Sequence, residues 1–250
     1  MAGGRQDEGH RPSLRRPRVR HTVTAAIGAD ICGGRYPPGT VLPRENDLCA
    51  TYGVSRTVVR ESLKVLETKG LVRGRPRVGT IVCDRAEWNV LDAQILEWMG
   101  PDVLSADLLG AILEARRTVE PAAAGLAAER ASAQEIADLE RACDEMAAAA
   151  DDLETFTVAD ARFHEILLRA SHNQVFHQLS SIIHAALSHA LHVSNRAAAQ
   201  REEALSVHRE LVDALRLRDA GRARACSLRI LDLAARDLST AIGAGRPPGP

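Results

Sequence analysis

Residues 34–82 read GRYPPGTVLPRENDLCATYGVSRTVVRESLKVLETKGLVRGRPRVGTIV, and the order of turn, helix and strand signals within them decides the fold. Tyr36-Pro37-Pro38-Gly39-Thr40 is turn chemistry. A short helix is expected from Pro43 and Glu45, with Leu48 and Cys49 turned inward, ending at Gly53. A longer one follows Ser55, a side chain suited to cap the first free backbone N–H groups, and runs to Lys69 before Gly70 stops it. From Leu71 to Val82 the pattern alternates and is broken at Gly74, Pro76 and Gly79, as two short strands around a basic turn require. Upstream, Val23, Ala26, Ile27 and Ile31 recur at helical spacing between His21 and Cys32, ahead of Gly33-Gly34. Helix, helix, turn, helix, hairpin is the order of a winged helix-turn-helix.

Charge divides the chain in the same way. Residues 1–83 hold 15 Lys and Arg against 7 Asp and Glu, a net +8, whereas residues 84–250 hold 17 against 26, a net −9. The first part therefore suits a polyanion and the second does not. With 250 residues, 45% hydrophobic and 26% charged, the chain has material for two domains. No run approaches the roughly 18 apolar residues of a membrane span, and the basic start has no apolar segment behind it, so a cytoplasmic protein without membrane contact is expected. Cys32, Cys49, Cys83, Cys143 and Cys226 are odd in number and widely spaced, which argues against a disulfide framework and a zinc ribbon.

On the third helix Val59, Leu63 and Leu66 form an apolar stripe, and Arg56, Arg60 and Lys64 form a cationic one beside it. One stripe holds the helix to its own domain while the other faces a groove, and the helix N-terminus offers backbone N–H groups to a phosphate. Arginine can bond the O6 and N7 edge of guanine with two parallel N–H groups, and Ser55 and Thr57 can reach phosphate or base edges. Arg73, Arg75 and Arg77 in the hairpin would extend the contact. The quoted stretch also closely resembles the GntR-family signature: a PPG-x-x-LP-x-E turn, a GVSR-x-x-VRE recognition helix and a G-T wing. The resemblance implies Arg56 and Arg60 as the main contacts, with Ser55 and Thr57 assisting and Gly79 at the wing tip letting the backbone approach DNA. Glu45 matches the acidic position of the turn, with an intradomain or a DNA role. Arg44 departs from the small residue common there and is either a further contact or merely exposed.

Beyond residue 101 strand formers never cluster, and helix breaks are expected at Pro121, Ala131-Ser132, Asp151-Asp152, Ser171-His172-Asn173, after Ser194, and at Asp219 to Gly221. Ser132 and Glu135 fit a capping box. The fold expected is mainly α: an N-terminal winged helix-turn-helix plus a C-terminal all-α helical bundle. Its expected parts are a disordered basic tail at 1–20, the DNA-binding domain at 21–83, and a linker at 84–101 carrying Trp88 and Trp98. An all-helical ligand-binding and dimerisation domain follows at 102–243, and then a tail at 244–250.

Asp160 and His164 are four residues apart, so one helix face presents a carboxylate and an imidazole together, and His208 lies on another helix beside Leu205, Leu211 and Leu215. Such a set suits zinc, nickel or manganese, although a D-x-x-x-H pair is more often an intrahelical hydrogen bond. This half resembles the FCD ligand domain, through E-x-R-x-x-x-E at Glu114, Arg116 and Glu120, D-x-x-x-H at Asp160 and His164, and His208 with Asp219 after it. The resemblance implies a divalent metal held by Asp and three His, with an effector completing its shell. The fourth ligand would fall at position 230, which is Ile230. Either a three-ligand site survives, or Cys226 one turn earlier substitutes, or the pocket works without metal through His164, His208 and Arg116. Arg116 can bond both oxygens of a carboxylate or pair with Glu120. The histidines 172, 177, 184, 189 and 192 spread over several faces and single out no site.

These readings imply a ligand-responsive regulator that binds a palindromic operator as a homodimer, most consistently a repressor. Residues 87–99, EWNVLDAQILEWM, resemble regulators of sugar-acid catabolism, as does the missing fourth histidine, which points to a small organic acid as effector. Two rivals stand: a metal-dependent enzyme using Asp160, His164 and His208, and an architectural DNA binder without sequence preference. A pyridoxal enzyme is excluded, because Lys64 and Lys69 are the only lysines and both lie in the DNA-reading helix.

Overall fold

A computed structural model describes residues 15–103, 106–149, 152–180, 182–183 and 198–244. The chain divides into two compact units, Met1–Asn89 and Val90–Pro250.

In the first unit, Val23, Ile27 and Ile31 bury one stripe of α1, Arg15–Cys32. The helix begins at Arg15, six residues ahead of the expected start and inside the stretch read as a tail. The remainder of that tail lies outside the described residues. Helix α2, Glu45–Tyr52, stops at Gly53 in the left-handed conformation, and α3, Arg56–Thr68, follows an extended Ser55 that makes no side-chain cap bond. Val59, Ser62 and Leu66 are the buried side of α3, with Leu63 only partly covered. The Thr24 hydroxyl donates to the Ser62 hydroxyl at 3.0 Å, so the one polar group on that side is satisfied by α1. Strands β1, Val72–Arg75, and β2, Gly79–Val82, pair antiparallel with Val72 opposite Val82 and Arg75 opposite Gly79. The turn before α2 runs along β2, with Gly39 N–H on Val82 O and Leu42 N–H on Thr80 O.

The expected linker at 84–101 is structured. Asp84 and Glu87 close a capping box around a 3-10 turn, Arg85–Glu87, and buried Trp88 donates its indole N–H to Cys83 O at 3.1 Å. The segment to Asn89 thus belongs to the first unit, and α4, Ala93–Val103, opens the second with a break at Gly100. Trp88, Ile95, Leu96 and Met99 of this stretch are buried, although Leu91 is exposed, which is why segments read as a connection are ordered.

The second unit is helical throughout its described residues: α5 Ala106–Arg130, α6 Ala133–Ala148, α7 Leu153–Ala170, the short α8 Gln174–His177, α9 Ala198–Arg216 and α10 Ala220–Ala244. The Ser132–Glu135 capping box opens α6. Helix α5 packs on α7, α9 and α10, and α6 packs on α7 and α9. Ala123, Ala124, Ala127 and Ala128 are fully buried on α5, and their small size lets neighbouring helices approach. Pro121, expected to break the chain, lies inside α5. Proline removes one helix hydrogen bond, at a cost of about 3 kcal/mol. Burial of the alanines after it and of Ile112 before it offsets that loss and keeps the helix continuous. No described helix is long and apolar enough to cross a membrane.

Gly70 has φ +76°, and a Cβ there would lie 2.3 Å from the Glu87 carbonyl oxygen, whereas at Gly34, φ +83°, a Cβ would meet nothing within 4 Å. Gly34→Ala is expected to cost about 1 kcal/mol, the left-handed penalty alone. Gly70→Ala is expected to cost about 3 kcal/mol or more, since backbone must also move. Denaturant unfolding of the full chain followed by tryptophan fluorescence checks the ranking, and equal losses would contradict it.

Candidate functional site

Two groupings emerge, one exposed and one buried. The exposed one lies around α3. Its inward side is held by Val59 and Leu66, which leaves Ser55, Arg56, Thr57, Arg60 and Lys64 exposed on the other. Arg44, just before α2, and Arg75, Arg77 and Gly79 of the hairpin are exposed as well. The hairpin tip is residues 76–78, with Arg77 in the left-handed region at φ +65°. Gly79 comes just after the tip rather than at it, and its close neighbour is Val41, 3.3 Å from where a Cβ would sit. Glu45 takes the intradomain role: both its oxygens accept the Arg60 Nε–H at 2.9 Å. Arg73 is drawn to Glu87 at the base of the hairpin, away from the contact expected of it.

The buried grouping is built by three helices. Arg116 and Glu120 come from α5, Asp160 and His164 from α7, and His208 from α9, and none is more than 5% exposed. The Arg116 Nε–H donates to Glu120 Oε1 at 2.5 Å, and Glu120 Oε2 lies 2.7 Å from His164 Nδ1. Asp160 Oδ1 lies 3.1 Å from His208 Nε2 and 3.6 Å from His164 Nε2, while Arg116 Nη2 is 3.4 Å from that same His164 nitrogen. His208 Nδ1 is 2.7 Å from the Ala204 carbonyl, which can only accept. Nδ1 therefore carries a proton, and Nε2 is the ring nitrogen that faces Asp160. Phe163 stands edge-on to both imidazoles, with ring centres 5.9 Å from His164 and 4.7 Å from His208.

Electrostatics tie these groups together. Burial works to raise the Glu120 carboxyl, but the Arg116 guanidinium and His164 outweigh it and bring the pKa down to about 2. Burial likewise opposes charge on Asp160, yet His164 and His208 beside it hold its carboxyl well below the usual range. For His164, burial disfavours the charged ring, and Glu120 and Asp160 override that to raise it to about 9. The close approaches are not aligned as hydrogen bonds: Glu120 Oε2, Asp160 Oδ1, His164 Nδ1 and His208 Nε2 are buried without one. Buried polar atoms left in this state are costly, so the cluster stands to gain from a bound group.

Among the described residues, Asp160, His164 and His208 are the one group of metal-type side chains close enough together to hold an ion. One oxygen and two imidazole nitrogens suit a borderline divalent cation, and the Glu120 carboxylate lies 2.7 Å from His164 Nδ1, leaving Nε2 on the Asp160 side of the ring. The residues present fit a metal. Ile230 is buried in the apolar core, and Cys226, also buried, stands outside the ligand group, so the substitution by Cys226 is not supported. Glu120 is the participant that sequence reasoning undervalued, having been noted only as a pairing partner for Arg116. Its signal was the E-x-R-x-x-x-E spacing, which puts Arg116 and Glu120 on one helix face. Of the scattered histidines, His172 meets the Glu135 carboxylate at 3.1 Å at the surface, and 184, 189 and 192 lie outside the described residues.

Residues 20–82 match the bacterial regulatory proteins of the gntR family, and residues 111–233 match the FCD domain. The chain is 35% identical over 218 residues to the galactonate operon transcriptional repressor of Escherichia coli, spanning 86% of this chain and 95% of that one. The protein belongs to the GntR family. It is also 32% identical over 162 residues to the Uxu operon transcriptional regulator of E. coli, spanning 63% of this chain and 60% of the relative. The solved structure of the Listeria monocytogenes protein Lar shares the fold, with a TM-score of 0.63 at 19% identity over 94% of this chain and 99% of that one. This GntR regulator is a ligand-responsive DNA-binding transcription regulator with a winged helix-turn-helix and a helical FCD domain.

Removing one partner of a buried ion pair strands the other. Glu120→Ala is therefore expected to cost about 3–5 kcal/mol of stability by leaving Arg116 uncompensated. Arg116→Met combined with Glu120→Gln, which keeps an acceptor for His164, should recover most of it. Calorimetric melting of the two variants checks this, and a Glu120→Ala melt like wild type would contradict it.

Proposed function

We propose that this GntR regulator represses an operon for catabolism of a sugar acid or related carboxylate, binding a palindromic operator as a homodimer in the cytoplasm and releasing it when the acid binds. The observation that carries the DNA half is the two-sided α3, with one side buried by its own unit and the other exposing Ser55, Arg56, Thr57 and Arg60. Arg56 and Arg60 reach base edges, Ser55 and Thr57 assist at the helix start, and Arg44, Arg75, Arg77 and the backbone at Gly79 add contacts at the flanks. The relative named for the galactonate operon supports a sugar acid as effector.

The buried cluster is the effector pocket in this reading. Asp160, His164 and His208 would hold a zinc, nickel or manganese ion, which supplies a positive centre for an anionic ligand. Arg116 offers its fork to a carboxylate. Three protein ligands leave coordination positions for the effector in place of the side chain that Ile230 does not provide. An enzyme is disfavoured because Glu120, the one carboxylate of the cluster besides the ligand Asp160, is held by Arg116 and His164 and is kept a weak base, well below the usual carboxylate range. The ligand acts through its different affinity for the operator-bound and free states, which bounds the shift it can cause.

Arg56→Ala and Arg60→Ala are expected to weaken operator binding and to relax preference at particular base pairs, as read by titration of labelled duplexes. Uniform weakening on every sequence would instead favour an architectural binder. Metal analysis should find about one divalent ion per chain after zinc exposure and almost none in His208→Ala, whereas equal loading of both would remove the assigned ligands. Galactonate with zinc should raise the melting temperature by about 5 °C at a hundredfold excess over Kd. If no sugar acid shifts it with any of the three metals, the effector class is wrong.

A further inference from the structure

The cations around α3 are not equivalent. Lys64 pairs at 2.9 Å with Glu61 on its own helix, and Arg73 gives its terminal Nη1 to both oxygens of Glu87, at 3.2 and 3.1 Å. The side chains of Arg44, Arg56, Arg75 and Arg77 have no hydrogen bond or ion pair among the described residues. Arg60 belongs to neither group. Its inner nitrogen, Nε, is held at 2.9 Å by each oxygen of Glu45, which sits on the first turn of α2. Its two terminal amino groups have no partner among the described residues. The pair is exposed, 62% for the Arg60 side chain and 37% for Glu45, so it adds little to stability. A carboxylate on this face also opposes binding to a polyanion. A carboxylate on the first turn of α2 favours the helix dipole wherever it points, so neither stability nor affinity accounts for its contact with Arg60.

Orientation does. Guanine presents O6 and N7 side by side, and two parallel N–H groups must meet them at once. A long side chain that is free in solution loses rotamer freedom on docking, and one already held loses less. We propose that Glu45 is a positioning residue for DNA reading: it clamps the inner end of the Arg60 guanidinium so that the terminal fork meets a guanine edge end-on. Arg60, already oriented, then contributes more to base preference than the unclamped Arg56. The contrast with Arg73 supports this, since there the carboxylate takes the terminal end and leaves no fork to present. The clamp rests on the DNA-reading role assigned to α3.

The test is selection of a binding site from a randomised duplex pool by the full-length protein, followed by titration against each single-base-pair variant of the selected site. Arg60→Ala is expected to lose about tenfold of preference at one guanine-bearing position. Glu45→Ala is expected to lose that preference at the same position, while its affinity for unrelated duplex holds or rises as a negative charge is removed. Glu45→Gln, which keeps an acceptor for Nε, should retain most of the preference, and combining Glu45→Ala with Arg60→Ala should lose no more than Arg60→Ala alone. A Glu45→Ala protein that binds every variant more tightly by one factor, with its profile intact, overturns the clamp. Uniform weakening overturns it too, as does loss of fold in Glu45→Ala together with a Glu45→Gln profile as flat as that of Arg60→Ala. Wild-type protein with no base preference would bring down the DNA-reading role itself, whereas a wild-type preference that Glu45→Ala leaves unchanged brings down only the clamp.

Discussion

Burying charge constrains the ligand-sensing unit more than any other single requirement. Arg116, Glu120, Asp160, His164 and His208 are all withdrawn from water, and each charged member would cost several kcal/mol without partners. The partners come from three different helices, so α5, α7 and α9 must hold one register for any of the groups to be compensated. Arg116 and Glu120 share one face of α5 by their spacing of four, and Asp160 and His164 share one face of α7 in the same way. The fully buried alanines of α5 and the edge-on ring of Phe163 provide the dry setting in which these interactions are strong. That setting also makes the misaligned atoms of the cluster expensive, which is a physical reason to expect a ligand there rather than a finished structural core.

The DNA-binding unit solves a different problem with the same economy of parts. One helix has to be both core and contact surface, and α3 separates the two around its circumference. Ser62 shows how strict the separation is, because a hydroxyl on the inner side is accepted only with Thr24 bonded to it. On the outer side, cations are differentiated by the acids beside them. Glu61, Glu87 and Glu45 hold Lys64, Arg73 and Arg60 in three distinct ways, so a run of basic residues in the sequence is not a uniform basic surface.

Much of this was legible in the sequence wherever structure is punctuated locally. Gly53, Ser55 and Gly70 bound α2 and α3, and Gly74, Pro76 and Gly79 frame the hairpin, because turns and caps depend on the residue itself. Asp160 with His164 was visible as a helical spacing, and His208 as a polar residue on an apolar side. What escaped depends on tertiary packing. Pro121 reads as a break until burial on both sides of it holds α5 together, and residues 84–101 read as a connection until Trp88 and Ile95 are seen to be covered. Glu120 reads as a surface partner for Arg116, since nothing local says that His164 stands on its other side. The choice between two roles for Glu45 could not be made from residues 15 positions apart until α2 and α3 were set side by side.

If the buried cluster is the effector pocket, its occupation governs release of DNA. Fluorescence anisotropy of a labelled selected operator, bound by zinc-loaded full-length protein and titrated with galactonate, tests it most directly. Saturable release is expected of wild type, and an operator-bound His208→Ala protein that the acid does not dislodge. Release of His208→Ala at the same acid concentration as wild type would contradict it.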